Sequence, residues 1–310
     1  VRYLPGSRIA AEDVRDADAL IIRTRTRCDG RLLAGSRVRL IATATIGFDH
    51  IDTAWCAAHG IRVATAAGCN ARGVLQWIAA VLHHLSQRDG WRPAEKTLGV
   101  VGAGHVGELV RRYAASWGFR VLTCDPPRAV REGGGDFVPL EEVARHCDLV
   151  TFHTPLDATT RRMADEALLR RLKPKAVVIN SSRGEVVDGD ALLRSGRPYV
   201  LDVWEHEPDI DRRLLAGAIL ATPHIAGYSA QGKANATAMA VGAVARRFAL
   251  PLEGWYPAVA PSHPRPIGWD ELAATIGARY DIAAESDTLK RHPERFEALR
   301  NGYSYREEYF

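Results

Sequence analysis

Three polar residues stand just after short apolar runs: Arg183 in INSSRG, Glu207 in LDVWEHEP and His224 in TPHIAG. Removing hydride from a 2-hydroxy acid takes a base for the hydroxyl proton, a cation for the carboxylate, and an acid that steadies the charged base. Histidine, arginine and glutamate are those three groups. Taken singly, each residue type is more often structural or on the surface. Together, each just past a strand, they acquire weight, because open α/β sheets collect ligands beyond the carboxyl ends of their strands.

Upstream lies Gly102-x-Gly104-x-x-Gly107, with His105 and Val106 between the last two glycines. The bare pattern is weak, and its context makes it strong. An apolar run, TLGVV, precedes it; a helical face of Val106, Leu109, Val110, Tyr113, Ala114 and Trp117 follows; a second apolar run ends in Asp125, 18 residues beyond Gly107. Gly102 allows the tight turn, Gly104 the approach of a pyrophosphate, Gly107 the close packing of helix on strand, and the helix N-terminus favours the phosphate charge. A carboxylate at Asp125 would accept from a ribose diol and repel a 2′-phosphate, which favours NAD. Arg128 nearby leaves NADP as the alternative. Gly133-Gly134-Gly135 has neither the spacing nor the context and reads as a surface turn.

The elements that must position these residues alternate between strand and helix. Strand-like runs at 19–23, 38–44 and 62–65 are interleaved with helices near 30–34 and 52–59, and a long amphipathic helix carries Val74, Leu75, Trp77, Ile78, Val81, Leu82 and Leu85. Six more strands follow, at 97–101, 120–124, 149–153, 176–180, 199–203 and 219–221. That alternation predicts βαβ units and a doubly wound, Rossmann-type parallel sheet of the α/β class. An alanine-rich helix runs to about 250. Pro251, Pro257, Pro261, Pro264 and Pro266 then mark a linker, and an Arg-, Glu- and Tyr-rich tail closes the chain.

At 310 residues the chain has room for two domains. The excess of 41 basic over 37 acidic residues is too small for a nucleic-acid binder and suits a small anionic partner. No apolar run approaches the roughly 18 residues of a membrane span. Five scattered cysteines without CxxC spacing argue against both a disulfide framework and a metal site, so reduced thiols in a cytoplasmic protein are expected.

On the Gly102–Asp125 fingerprint and the Arg183, Glu207 and His224 motifs, the chain resembles the D-isomer-specific 2-hydroxyacid dehydrogenases. TATIGFDHID, AAGCNARGV, CDPPRA, VTFHTPL and HIAGYSAQGKA extend the resemblance over nearly the whole length, tail included. It implies NAD as cofactor and oxidation of a phosphorylated sugar acid. His224 would act as base, Glu207 as its support, and Arg183 as the clamp on substrate carboxylate and carbonyl. Asp125, Thr154, Asp202 and Gly227 would contact NAD; Thr24, Thr45 and Tyr228 would contact substrate. Arg23 is expected in the phosphate site, with Lys233 and a partner subunit's Arg306 as further cations, because a phosphomonoester carries about −1.5 to −2 charge.

The implied architecture is a discontinuous, flavodoxin-like substrate domain (1–70, rejoined by a helix at 225–250), an NAD-binding domain (71–224), a linker (251–268) and a small α+β dimerisation domain (269–310). The tail's Tyr280, Phe296 and Tyr303 are expected to pack against a second subunit in a homodimer, and hinges are expected near Asn70 and His224. Val1-Arg2-Tyr3-Leu4-Pro5 reads as a strand whose preceding residues are missing from an incomplete substrate domain. Two other readings stay open: another D-2-hydroxyacid dehydrogenase of phosphoglycerate or glycerate type, and a catalytically idle NADH-sensing corepressor on the same fold.

Overall fold

A computed structural model describes residues 1–260, 263–277 and 280–310. Pro261, counted above in the linker, lies outside the described residues. The chain divides into two units, Val1–Asn70 with Ser229–Ser262, and Ala71–Tyr228 with His263–Phe310. The crossings between units fall after Asn70 and after Tyr228, where the sequence reading placed them after residues 70 and 224.

The smaller unit is a parallel sheet of β1 (Ala19–Ile22), β2 (Leu40–Thr43) and β3 (Arg62–Thr65) in that order, with Ala19 opposite Leu40 and Leu40 opposite Arg62. Helices Gly30–Leu33 and Thr53–Ala58 fill the crossovers. Asp29 and Asp52 start them by accepting from the backbone N–H of Arg31 (3.0 Å) and Trp55 (2.9 Å), which satisfies donors a helix cannot satisfy itself. Leu20, Ile22 and Ile41 pack with Leu32, Leu33 and Cys56 on one face. On the other, Ala42 and Ala44 meet Ala236 and Ala240 of helix Ala230–Phe248, small residues that let helix and sheet approach closely. Covered on both faces, β2 is buried at all four positions.

Val1–Pro5 does not form the expected strand. Val1 and Tyr3 are almost fully exposed, and no strand pairs with the segment among the described residues. Alternation without a ladder partner or a covering face gives the backbone nothing to exchange for water.

The larger unit carries β4 (Thr97–Val101), β5 (Arg120–Cys124), β6 (Leu149–Phe152), β7 (Val177–Asn180), β8 (Tyr199–Leu201) and β9 (Leu220–Ala221). All are parallel, in the order β5-β4-β6-β7-β8-β9, and a lone parallel bridge, Thr123 to Phe137, extends the β5 side. The chain leaves β4 in one direction and returns to β6 on the other, the switch point at which such sheets bind dinucleotides. Leu98, Val100, Ile179 and Val200 face helices Ala71–Asp89 and His105–Trp117, while Val150, Phe152, Val178 and Leu201 face the opposite layer.

Residues 269–310 join this unit as helices Leu272–Gly277, Ile282–Arg291 and Phe296–Asn301, with no named strand among the described residues, where a small α+β domain was expected. Tyr280 and Phe296, expected against a second subunit, are 6% and 1% exposed within this chain's own core, and Tyr303 is half-buried. The physical reason is the sheet edge. Unpaired N–H groups of an edge strand need cover, and Ser286 Oγ accepts the N–H of Ala221 in β9 at 3.0 Å. The apolar face of the tail is spent on that edge.

Candidate active site

Each sequence-derived residue of the larger unit follows the carboxyl end of a strand: Gly102 after β4, Asp125 after β5, Thr154 after β6, Arg183 after β7, Asp202 and Glu207 after β8, His224 and Gly227 after β9. At the switch point the glycines divide by task. Gly102 has φ +87°, and a Cβ there would lie 2.6 Å from the His153 carbonyl oxygen. A Cβ on Gly107 would lie inside van der Waals contact with the Gly102 carbonyl. Gly104 differs: its φ is an ordinary −73°, and a Cβ would meet nothing within 4 Å. Neither conformation nor a protein neighbour demands glycine there, which leaves the close approach of a ligand as the reason. Gly104 also starts helix His105–Trp117 without a side-chain cap, so the helix presents backbone donors beside exposed His105 and half-buried Val106.

Asp125 Oδ2 accepts from Ala103 N–H (2.8 Å) and Oδ1 from Arg128 N–H (2.9 Å), fixing the carboxylate beside the glycine turn. Arg128, the residue that left NADP open, is bonded to Glu108 (2.6 Å) and Glu132 (2.7 Å) and donates to the Ala103 carbonyl. Its charge is already matched, which disfavours a 2′-phosphate. Thr154 Oγ1 is buried with no hydrogen-bond partner among the described residues. An orphaned buried hydroxyl is costly in the absence of a ligand atom, and together with Gly104 it fits NAD.

His224 Nδ1 and Glu207 Oε2 are 2.8 Å apart. Glu207 Oε1 accepts from Trp204 N–H at 3.0 Å, so the carboxylate orients the imidazole from a fixed position. Burial works to raise the Glu207 carboxyl, but the His224 bond and charge, the Arg300 guanidinium and the Trp204 N–H together hold it below the ordinary glutamate range. His224 itself sits in the left-handed region at φ 57°. That uncommon conformation is held by Asp202, whose carboxylate accepts from Thr222 Oγ1 (2.6 Å), Ile225 N–H (2.8 Å) and Ala226 N–H (2.9 Å). Asp202 is fully buried, and burial pushes its carboxyl up against the pull of His224 and those three donors. Expected at the cofactor, it is engaged here in holding the His224 loop.

Arg183 starts the turn after β7. Its carbonyl accepts from Asn180 Nδ2 (2.8 Å), and Asn180 Oδ1 in turn accepts from Ser182 N–H and Oγ (3.0 and 2.8 Å), so the arginine leaves a locked loop. Tyr228 is half-buried, its ring stacked on Tyr305 with centroids 5.5 Å apart.

In the smaller unit, Arg23 and Thr24 are exposed just past β1, and Thr45 lies just past β2, its Oγ1 bonded to Thr43 Oγ1 (2.5 Å) and the Gly47 carbonyl (2.9 Å). Lys233 is exposed near the start of helix Ala230–Phe248. Arg306, considered as a cation lent by a partner, instead serves this chain. It is 8% exposed, lies 4.3 Å from the Tyr280 ring, and donates to the carbonyls of Ile225 (3.1 Å) and Ala226 (2.7 Å). Arg300 was overlooked at the site. It stands in the Arg-, Glu- and Tyr-rich tail, but its partner, Glu207, is 93 residues away, and no spacing rule links them.

Residues 70–226 match the NAD binding domain of the D-isomer specific 2-hydroxyacid dehydrogenases. The chain belongs to that family, and NAD is its cofactor. Within the family, it is 47% identical to the erythronate-4-phosphate dehydrogenase of Bacteroides fragilis, over 99% of this chain and 91% of that one. It is 49% identical to the enzyme of the same name from Ectopseudomonas mendocina over 81% of this chain and 68% of that one. Among solved structures, NAD+-bound 3-phosphoglycerate dehydrogenase of Entamoeba histolytica superposes with a TM-score of 0.66 at 25% identity, covering 81% of this chain and 85% of that one.

Proposed function

We propose that the protein oxidises 4-phospho-D-erythronate at C2 to 3-hydroxy-2-oxo-4-phosphobutanoate, an NAD-dependent step toward pyridoxal 5′-phosphate. The observation that carries the chemistry is the His224–Glu207 pair, fixed at 2.8 Å in the same row of strand ends as the Gly102–Gly107 turn. The relatives' shared name carries the substrate.

The Gly102–Gly107 turn, with His105 and Val106, would hold the pyrophosphate, Asp125 the adenosine ribose, and Thr154 and Gly227 the remainder of the dinucleotide. NAD supplies the hydride acceptor. With Nδ1 committed to Glu207, Nε2 of His224 is the nitrogen left to take the C2 hydroxyl proton. Glu207 offsets the positive charge that then forms on the ring. Arg183 binds the carboxylate and the developing carbonyl oxygen, an arrangement suited to its planar donor fork. Asp202 keeps His224 on station through the Ile225 and Ala226 N–H groups. By the resemblance of their motifs, Thr24, Thr45 and Tyr228 would contact the substrate, and Arg23 and Lys233 are the candidate cations for its phosphate.

The five buried thiols suit a reducing, cytoplasmic setting. We also place the homodimer contact on the C-terminal segment, where Tyr305 is 38% exposed. A single-chain mass by sedimentation overturns that contact. For the reaction, purified protein should form NADH from NAD with 4-phospho-D-erythronate and not with glycerate. Absence of turnover on the phosphorylated acid, with glycerate or 3-phosphoglycerate accepted instead, rejects the substrate assignment.

A further inference from the structure

One tail residue reaches the pair that the reaction depends on. Arg300, on helix Phe296–Asn301, donates from Nη1 to Glu207 Oε2 at 3.3 Å and from Nε to Tyr228 Oη at 3.2 Å. The same Oε2 faces His224 Nδ1 at 2.8 Å. A single carboxylate oxygen therefore stands between a permanent cation and an imidazole that becomes a cation during turnover. Side-chain exposures of 28% for Arg300 and 16% for Glu207 leave the interaction less screened than a surface pair.

We infer that Arg300 is a positioning residue for the Glu207–His224 pair: it shares the Glu207 carboxylate from the C-terminal segment, and so limits how tightly that carboxylate retains a proton on His224. A base that keeps its proton is no base. With histidine as sole partner, the Glu207 charge favours the imidazolium; with a guanidinium on the same oxygen, part of that charge is already matched. Through Nε, Arg300 also fixes the hydroxyl of Tyr228, a candidate substrate contact.

The other ionisable groups around the pair leave this role to Arg300. Asp202, from the end of β8, lies close enough to His224 to act on it, but its carboxylate is occupied by Thr222, Ile225 and Ala226. Tyr228 is bonded to Arg300 itself. Farther out in the tail, Glu285 accepts from Tyr280 (2.9 Å) and Tyr303 (2.6 Å), and Arg306 is spent on Tyr303 and the Ile225 and Ala226 carbonyls.

The inference rests on the reading of His224 as the base, so its test uses two readouts. In Arg300→Gln, the acid limb of kcat/KM against pH should move about one unit toward higher pH, and Arg300→Lys, which keeps the charge, should return most of the shift. Independently of any substrate, the His224 ring signal followed by NMR should titrate at higher pH in Arg300→Gln than in the parent protein. If 4-phospho-D-erythronate is not turned over by the parent protein, the substrate assignment fails while the ring titration still decides the role of Arg300. An unmoved ring titration in a folded Arg300→Gln overturns the inference, as does a tenfold rise in KM with the acid limb in place, which would make Arg300 a substrate contact.

Discussion

Glu207 Oε2 lies 2.8 Å from His224 Nδ1, joining the loops after two neighbouring strands, β8 and β9. The bond commits one ring nitrogen and leaves the other for the substrate. Replacing His224 with alanine removes the base and leaves the glycine turn alone. His224→Ala should lower kcat/KM by about 10²–10⁴-fold with the affinity for NADH, read by fluorescence, unchanged. A variant with full rate contradicts the assignment, and a protein whose only role is to sense NADH would keep its partner binding.

Cofactor choice is written in a chain of contacts from Asp125 to Arg128 to Glu108. Asp125→Ser should weaken NAD at least tenfold without producing good NADP binding, because Glu108 and Glu132 still hold the guanidinium. Adding Glu108→Gln should release Arg128 and bring NADP within range. NADP use by Asp125→Ser alone, measured as kcat/KM, would show that Arg128 is not restrained.

Two glycines of one turn should fail in different ways. Gly107→Ala drives a methyl group into the Gly102 carbonyl and should destabilise the fold by several kcal/mol, on the order of 3. Gly104→Ala has open space and an ordinary φ, so its melting temperature should hold while NAD binding weakens. Equal losses of stability in both would remove the case for ligand approach at Gly104.

Burial, with small contributions from neighbouring charges, pushes the thiols of Cys28 and Cys147 up to about 12 and that of Cys124 up to about 11. Their folded values exceed the unfolded ones. The stability they contribute is therefore complete below about pH 9 and is lost as pH rises toward 11 and 12, at up to ~1.4 kcal/mol per unit for each thiol. Denaturant titrations across that window should show the decline, and native protein should resist thiol reagents at neutral pH. A flat profile with rapid labelling would falsify the burial argument.

Strands such as β2, β4, β6 and β7 were legible because they are buried nearly throughout, so they read as short apolar runs between helical patterns. β4 and β5 fall on the expected residues, 97–101 and 120–124. Asp125, Glu207 and His224 were legible for the same reason, since a strand end tells where the next polar residue must emerge. Spacing cannot say what covers an apolar face. Tyr280 and Phe296 were correctly read as needing cover, and the cover proved to be this chain's own sheet and helices rather than a second subunit. Arg300 lay beyond reach for a related reason, its meaning residing in Glu207, far off in sequence.

The smaller unit is closed by helix Ala230–Phe248, which reaches its sheet only after the whole of 71–228 has intervened. During synthesis, β1 to β3 leave the ribosome with Ala42 and Ala44 bare and wait about 10–30 s, at roughly 5–20 residues per second, for the helix that covers them. All six strands of the nucleotide-binding sheet have emerged before its companion has a second face, but β9 still waits for Ser286 of the tail. An arrest or truncation ahead of residue 230 would therefore release a chain in which both sheets lack cover, the smaller without its second face and the larger without the tail helices against β9, a substrate for chaperones rather than for catalysis.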